Sequence, residues 1–402
     1  MNVLVNKLAN KSFLSKPDTR DVRYLSAFFQ FFEFFGHLTD VPYGTVSTFY
    51  DILLVLLMKG CEFLEKTIKK ERVLGLDILR TLAIVFVFIT HAINIRGVLN
   101  VEQLSFKWTI YMIFRFLAMT CVPLFLILTG YLNNKKEISK KYYKGIIPLA
   151  FSYIAISAIE IIATAIYTKT PINIPVSIIQ ILNFSANGYA WYFEMYIGLF
   201  LLIPFLNILY DNLPDKKYKQ ILVGSLAFLT FLPQVAITFK ACDMWLDVTP
   251  DYWQITYPLT YFFIGKCIRE FQPKLKLSQR ILLPMLSLGF TCLCCYIFST
   301  PEQYAWFTFN KFEALPTALT ATFIFLAFYD FNKKIPVAQK IISEISICSF
   351  EMYLISSITD KMLYLTLDYH MIVMVLITII LTYICAKLLI SVRDFLLKPI
   401  MK

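Results

Sequence analysis

Long apolar runs separated by short polar loops dominate this chain. Runs close to or above the length of a bilayer crossing fall at 74–95, 109–132, 145–167, 190–209, 221–237, 256–268, 281–298, 315–329, 345–366 and 371–392. The pattern predicts an all-α, polytopic membrane protein with about ten transmembrane helices. Runs 256–268 and 315–329 are shorter than the ~20 residues a perpendicular helix needs, so they must recruit flanking residues or meet thinner membrane.

The loops supply an orientation. Lys66, Lys69, Lys70 and Arg72 precede the first run, and the basic clusters around Lys135–Lys144, Lys216–Lys219, Lys266–Arg280, Lys333–Lys340 and Arg393–Lys402 follow on the same side. The other side receives only Arg96, Lys107, Lys169, Lys240 and Lys311. By the positive-inside rule both ends of the ten-helix unit face the cytosol. Residues 71–395 form this membrane domain and 396–402 a short cytoplasmic tail.

Residues 1–70 follow a different pattern, with an aromatic cluster from Phe28 to Phe35 and a short apolar run from Ile52 to Met58. Neither is long enough to span. A cytoplasmic or interfacial extension is expected, with a spanning hairpin as the other reading. No ordered succession of charged start, apolar core and small-residue cleavage site marks a signal peptide. His37 in this extension is read as incidental.

Composition supports the membrane reading: 58% of the 402 residues are hydrophobic and 16% charged, as expected of a chain whose solvent is mostly lipid. The formal charge of +11 is spread over loops rather than gathered in a patch, which argues against nucleic acid as partner. The nine cysteines show neither zinc spacing nor a disulfide framework.

Against this apolar background, ionisable residues inside the runs carry the functional signal, because charge at bilayer depth is costly and must face the bundle or a wet cavity. Arg80 and His91 share the first run. Eleven steps of ~100° close to within about 20° of three turns, so one helix face carries both, roughly 16 Å apart. His91, Arg115 and Glu194 fall roughly 6–10 Å below the external surface, and Glu160, Asp360 and Lys361 near that level. Asp77, Arg80 and Glu351 lie near the cytoplasmic edge. Two polar layers, joined by one helix face, are expected.

Several blocks also carry a resemblance. Leu76-Asp77-Ile-Leu-Arg80-Thr-Leu-Ala83 with His91 resembles the opening motif of the acyltransferase 3 family of integral-membrane O-acyltransferases. Val122 to Leu132 resembles its second-helix signature, with Thr129 where Ser is more usual. Trp191 to Pro204 is similar to its fourth-helix block, Tyr261-Phe-Phe-Ile-Gly265 to a later one, and Ser349 to Ser356 to its penultimate-helix motif. Ser356 stands where many members have His, so no second catalytic histidine is carried over. The blocks cover residues 72 to about 395 in family order. The resemblance implies transfer of an acyl group, most often acetyl from cytoplasmic acetyl-CoA, to a sugar hydroxyl on the outer side, and it implies that the Arg and His of the opening motif are required.

The residues suit that chemistry. Imidazole accepts a proton near neutral pH, so His91 is expected to act as general base on the acceptor hydroxyl, with Glu194 orienting or charge-stabilising it. Arg80, with Asp77 beside it, is expected to bind the phosphate or pantetheine carbonyls of the donor; the alternative is a snorkelling Arg80 paired with Asp77. Arg115 has two readings, an oxyanion stabiliser and a structural ion pair with Glu160 or Glu194. Asp360 and Lys361, adjacent and diverging, can simply mark a water-exposed helix end. Trp191, Trp253 and Trp306 can form a sugar-stacking platform or belong to the interfacial aromatic belt, and His370 reads as surface.

The expected function is therefore O-acylation of an extracytoplasmic or lipid-linked glycan in the cell membrane, with acyl-CoA as donor substrate and no permanently bound cofactor or metal. The rival is a polysaccharide flippase or other secondary transporter, which would also bury Arg, Glu and Asp at depth.

Overall fold

The computed structural model describes residues 72–95, 102, 104–240, 251–299, 309–333, 335–366 and 371–400. The described residues are helical, with no strand among them. In chain order the helices are α1 (Leu74–Ile95), α2 (Phe106–Ala118), α3 (Cys121–Leu132), α4 (Lys140–Lys144), α5 (Ile147–Thr168), α6 (Ile174–Leu182), α7 (Trp191–Asp211) and α8 (Lys216–Lys240). A 3₁₀ turn (Asp251–Thr256) then leads into α9 (Tyr257–Phe271), α10 (Leu277–Phe298), α11 (Leu315–Phe328), α12 (Pro336–Thr366) and α13 (Met371–Leu397). The expectations for residues 1–70, and for Trp306 and His370, lie outside the described residues.

Every one of the ten apolar runs is helical, and among the described residues seven stretches are long and apolar enough to cross a membrane. Helices α9 and α11, with 15 and 14 residues, fall short of the ~20 required, as their sequence indicates. The run 109–132 is divided. Pro123 lacks an N–H and its ring disfavours a helical carbonyl four residues earlier, so α2 ends at Ala118 and α3 begins at Cys121. A further helix, α6, was not anticipated: Asn173 caps it by accepting from the Val176 N–H at 3.3 Å. Its nine residues reach only ~13 Å, too short to cross.

Close backbone approach organises the interior. Helices α3 and α9 make the most extensive contact in the bundle, and the crossing runs over two glycines. A Cβ added to Gly130 would stand 1.9 Å from the Phe262 carbonyl oxygen, and one added to Gly265 would stand 2.0 Å from that of Ile127. Small residues at a crossing let helices in lipid gain dispersion contacts that no hydrophobic effect supplies there. Gly75 brings the start of α1 equally close to Phe328 at the end of α11. Helix α1 is thereby held in the centre, against α3 and α12, with Leu79, Ala83, Ile84 and Phe88 buried around it. A smaller apolar cluster of Trp108, Met112, Phe116, Cys295 and Phe309 joins α2 to α10.

Candidate active site

The three ionisable residues of α1, Asp77, Arg80 and His91, all contact α12. At the end of the bundle where α1 starts, Asp77 is buried and heavily bonded: it accepts from Arg72 Nε at 2.9 Å and Nη2 at 2.5 Å, and from the Ser343 and Ser346 hydroxyls at 2.9 and 2.8 Å. Asp77 thus pairs with Arg72, and the Arg80–Asp77 ion pair of the alternative reading does not form. Hydrogen bonding to Asp77 raises the Arg72 pKa further, so this cation is permanent. Arg80 donates through Nη1 to Ser346 Oγ at 3.1 Å. With Asp77 committed elsewhere, its guanidinium has no acidic partner among the described residues.

Arg80 and Arg72 line a cavity of about 430 Å³ whose walls also include Phe125, Thr129, Tyr192, Tyr196, Ser346, Ser349 and Tyr353. Along α3 and its C-terminal cap the lining runs from Val122 to Asn133, eleven steps and so roughly 16 Å of helix. Asp77 is not among the lining residues. Asp77, expected to contact a donor, instead bonds Arg72 and Ser346, which do line the cavity. At the other extreme the cavity stops at Val87, Tyr192 and Tyr353, about 6 Å, one helical turn, short of His91.

Around His91 the structure assembles a different group from the one foreseen. Nδ1 is sealed from solvent and lies 3.3 Å from Asp360 Oδ2, a close contact rather than an aligned hydrogen bond. The Tyr189 ring packs on the imidazole with centroids 3.8 Å apart, and its hydroxyl donates to the same Asp360 oxygen at 3.0 Å. Tyr189 is itself strapped down. Its backbone N–H donates to Asn187 Oδ1 at 3.0 Å, its carbonyl accepts from the Tyr353 hydroxyl, and Asn187 donates to buried Glu160 at 2.6 Å.

Glu194, expected beside His91, is exposed on α7. The reason is helical phase: Tyr192 and Tyr196 face the cavity, and a residue two positions from each is turned ~200° away. Asp360, read from sequence as a possible helix-end marker, takes that place. Its neighbour Lys361 diverges and pairs with Glu160 Oε1 at 2.5 Å, which also accepts from Ser357 at 2.8 Å. Arg115 is buried and donates to Asn310 Oδ1 at 2.7 Å, to the Thr90 carbonyl at 3.0 Å and to Asn94 Oδ1 at 2.7 Å. It buttresses the last turn of α1 from α2. Glu351 pairs with Arg393 and accepts from Ser152 at 3.0 Å, tying α12 to α13 and α5.

Of the three tryptophans proposed to stack on sugar, Trp191 is 41% and Trp253 54% exposed, and Trp191 stacks on Phe312 with centroids 5.5 Å apart. Tyr189 and Tyr192 were not singled out from sequence, and Arg72, Tyr196 and Asp360 were named there without a role in the site. The signal available for the tyrosines was their spacing on the start of α7, where 192 and 196 are one turn apart.

The geometry is thus a half-buried guanidinium without an ion pair among the described residues, lining a cavity at one end of α1, and an imidazole beside a carboxylate at the other. The family profile described as an acyltransferase domain matches residues 73–391. No curated protein and no solved structure matches the chain.

Proposed function

The chain belongs to acyltransferase family 3 and is a multi-pass membrane acyltransferase, and from that premise we propose that it moves an acyl group, most simply acetyl, from cytoplasmic acyl-CoA to a hydroxyl of an extracytoplasmic or lipid-linked glycan. The observation that carries this reading is Arg80. A half-buried guanidinium with one neutral side-chain partner lines a 430 Å³ cavity and keeps donors for a ligand that accepts hydrogen bonds. A phosphate or the amide carbonyls of a pantetheine arm supply such acceptors, and Phe125, Leu128 and Leu149 offer the arm an apolar wall. This reading extends to topology: ten spans, with the basic loops and the Arg80 end cytoplasmic.

His91 is the general base. With Nδ1 against Asp360, the carboxylate favours the tautomer that holds its proton on that nitrogen, which leaves Nε2 to accept the proton of the attacking hydroxyl. The hydroxyl oxygen then bonds to the thioester carbonyl carbon. The tetrahedral intermediate expels the thiolate, which takes the proton back from the imidazole. Trp191, Trp253 and Trp306 are assigned to the acceptor, as aromatic faces for a sugar ring. The transporter alternative gives way to the family membership, since carriage alone needs no acyltransferase domain.

The test uses purified full-length protein in detergent or nanodiscs, with acetyl-CoA. Thiol release and heat stabilisation by CoA are expected from the unsubstituted protein, and both should weaken in Arg80→Lys. A protein that neither binds CoA nor releases its thiol refutes the donor assignment.

A further inference from the structure

Two hydroxyls in the cavity differ from those of Tyr153, Tyr261, Tyr353 and Tyr210. Tyr153, Tyr261 and Tyr353 each donate to a backbone carbonyl, and Tyr210 bonds to Cys267 at 3.2 Å. Tyr192 and Tyr196 line the cavity, yet neither hydroxyl meets a hydrogen-bond partner among the described residues. Both residues are half-buried, and a hydroxyl in the cavity wall with no protein acceptor keeps its donor for a ligand that carries acceptor atoms at that height. Tyr196 lies one turn deeper than Tyr192, towards Arg80. Tyr192 sits at the blind end, edge-on to Tyr353 with centroids 5.7 Å apart, next to the Tyr189 and Tyr353 strap that carries His91.

This position bears on the reaction, because attack on a thioester builds negative charge on the carbonyl oxygen, and that charge needs a positioned donor. Arg115 was one sequence candidate. Its guanidinium already donates to Asn310, Asn94 and the Thr90 carbonyl, so reaching a substrate would break bonds that hold α1. Arg80 is a turn and more below the blind end. An uncommitted phenol at the end of the cavity nearest the base fits the requirement.

We propose that Tyr192 is a catalytic residue whose hydroxyl donates a hydrogen bond to the thioester carbonyl oxygen, holding it in the ground state and stabilising the oxyanion as the acceptor oxygen adds. Tyr196 donates to a carbonyl lower on the donor and serves binding. No proton leaves Tyr192: the acceptor C–O bond forms, the π electrons move to the carbonyl oxygen held by the phenol, the C–S bond breaks, and His91 carries the proton from hydroxyl to thiolate. The inference rests on the acyl-CoA reading above.

The experiment compares Tyr192→Phe and Tyr196→Phe with the unsubstituted protein, measuring kcat and KM for acetyl-CoA and heat stabilisation by CoA, which lacks the thioester carbonyl. Tyr192→Phe is expected to lower kcat about 10²–10³-fold while CoA stabilises it as well as it does the parent. Tyr196→Phe is expected to raise KM with kcat nearly unchanged. If Tyr192→Phe keeps a third or more of kcat, or if its loss appears wholly in CoA binding, Tyr192 is not the oxyanion donor even though the donor reading stands. If the unsubstituted protein ignores both CoA and acetyl-CoA, the donor reading and this inference fall together.

Discussion

At the scale of single residues, the chemistry depends on which groups are already committed. Asp77 spends its acceptors on Arg72, Ser343 and Ser346, and this leaves Arg80 with Ser346 as its hydrogen-bond partner. Asp360 spends an oxygen on Tyr189 and His91, while Glu194 faces away. These commitments separate variants that sequence alone could not rank. Asp360→Asn should cut kcat about 10²–10⁴-fold, because an amide no longer fixes the histidine tautomer, whereas Glu194→Gln should stay within about threefold. His91→Ala should abolish detectable transfer. Steady-state thiol release from protein that elutes as a single peak measures all three; a Glu194→Gln loss equal to that of Asp360→Asn would overturn the assignment. Arg80→Lys should raise the donor KM about tenfold or more, since a point charge cannot replace the planar fork. The Arg80 and His91 pair was legible from their shared face on one run. Asp360 was not, because its partner is 269 positions away and its neighbour Lys361, 57% exposed, gave the pair the look of a wet helix end.

At the scale of elements, hydropathy identified where helices are but not how they cross. Apolar runs read directly as α1, α5, α7, α10 and α13 because lipid requires every backbone group to bond within its own segment. Which helices touch is decided by small residues whose role appears only when a second backbone is beside them. The motifs around Thr129-Gly130 and Phe263-Ile264-Gly265 illustrate this. They are packing devices, since each glycine rests against the other helix's carbonyls, and they place one wall of the cavity that Arg80 lines. Gly130→Ala and Gly265→Ala should therefore each destabilise the protein by about 1–3 kcal/mol or more and lower its thermal midpoint in detergent. Gly198→Ala, where an added Cβ meets nothing within 4 Å, should leave the midpoint unchanged or raise it slightly through lower unfolded-state entropy. Equal effects at all three positions would mean that the α3–α9 crossing is not as tight as its backbone separation indicates. The division of run 109–132 was foreshadowed by Pro123, but the helix α6 was not, since nine residues with no buried side chain leave a signal too short to separate from a loop.

At the scale of the whole molecule, the two polar layers need to lie on opposite sides of a membrane for the proposed reaction to have a direction. The charge bias of the loops supplies that prediction independently of the site. Lys135 follows α3 in the turn that the Asn207 amide pins through the carbonyls of Asn133 and Lys136, at 2.9 and 2.8 Å. Lys169 ends α5 in a left-handed conformation with φ 54°, so the two residues bracket one crossing of the bundle. Asn133 also lines the Arg80 cavity, which puts Lys135 at the donor end. Cysteine placed at Lys135 and at Lys169, one at a time, is expected to react oppositely with an impermeant maleimide. Lys169→Cys should label in intact cells, and Lys135→Cys only after the membrane is opened. Cys121, Cys295 and Cys348 are buried and should contribute little background, which a parent control subtracts. Labelling of both positions from outside would break the crossing count between them. Labelling in the reverse sense would put the Arg80 cavity on the outside, where no acyl-CoA pool reaches it. Either result would require a different donor while leaving the His91–Asp360 contact intact. The topology measurement therefore discriminates between donors as well as between orientations, and for that reason it precedes any search for the acceptor sugar.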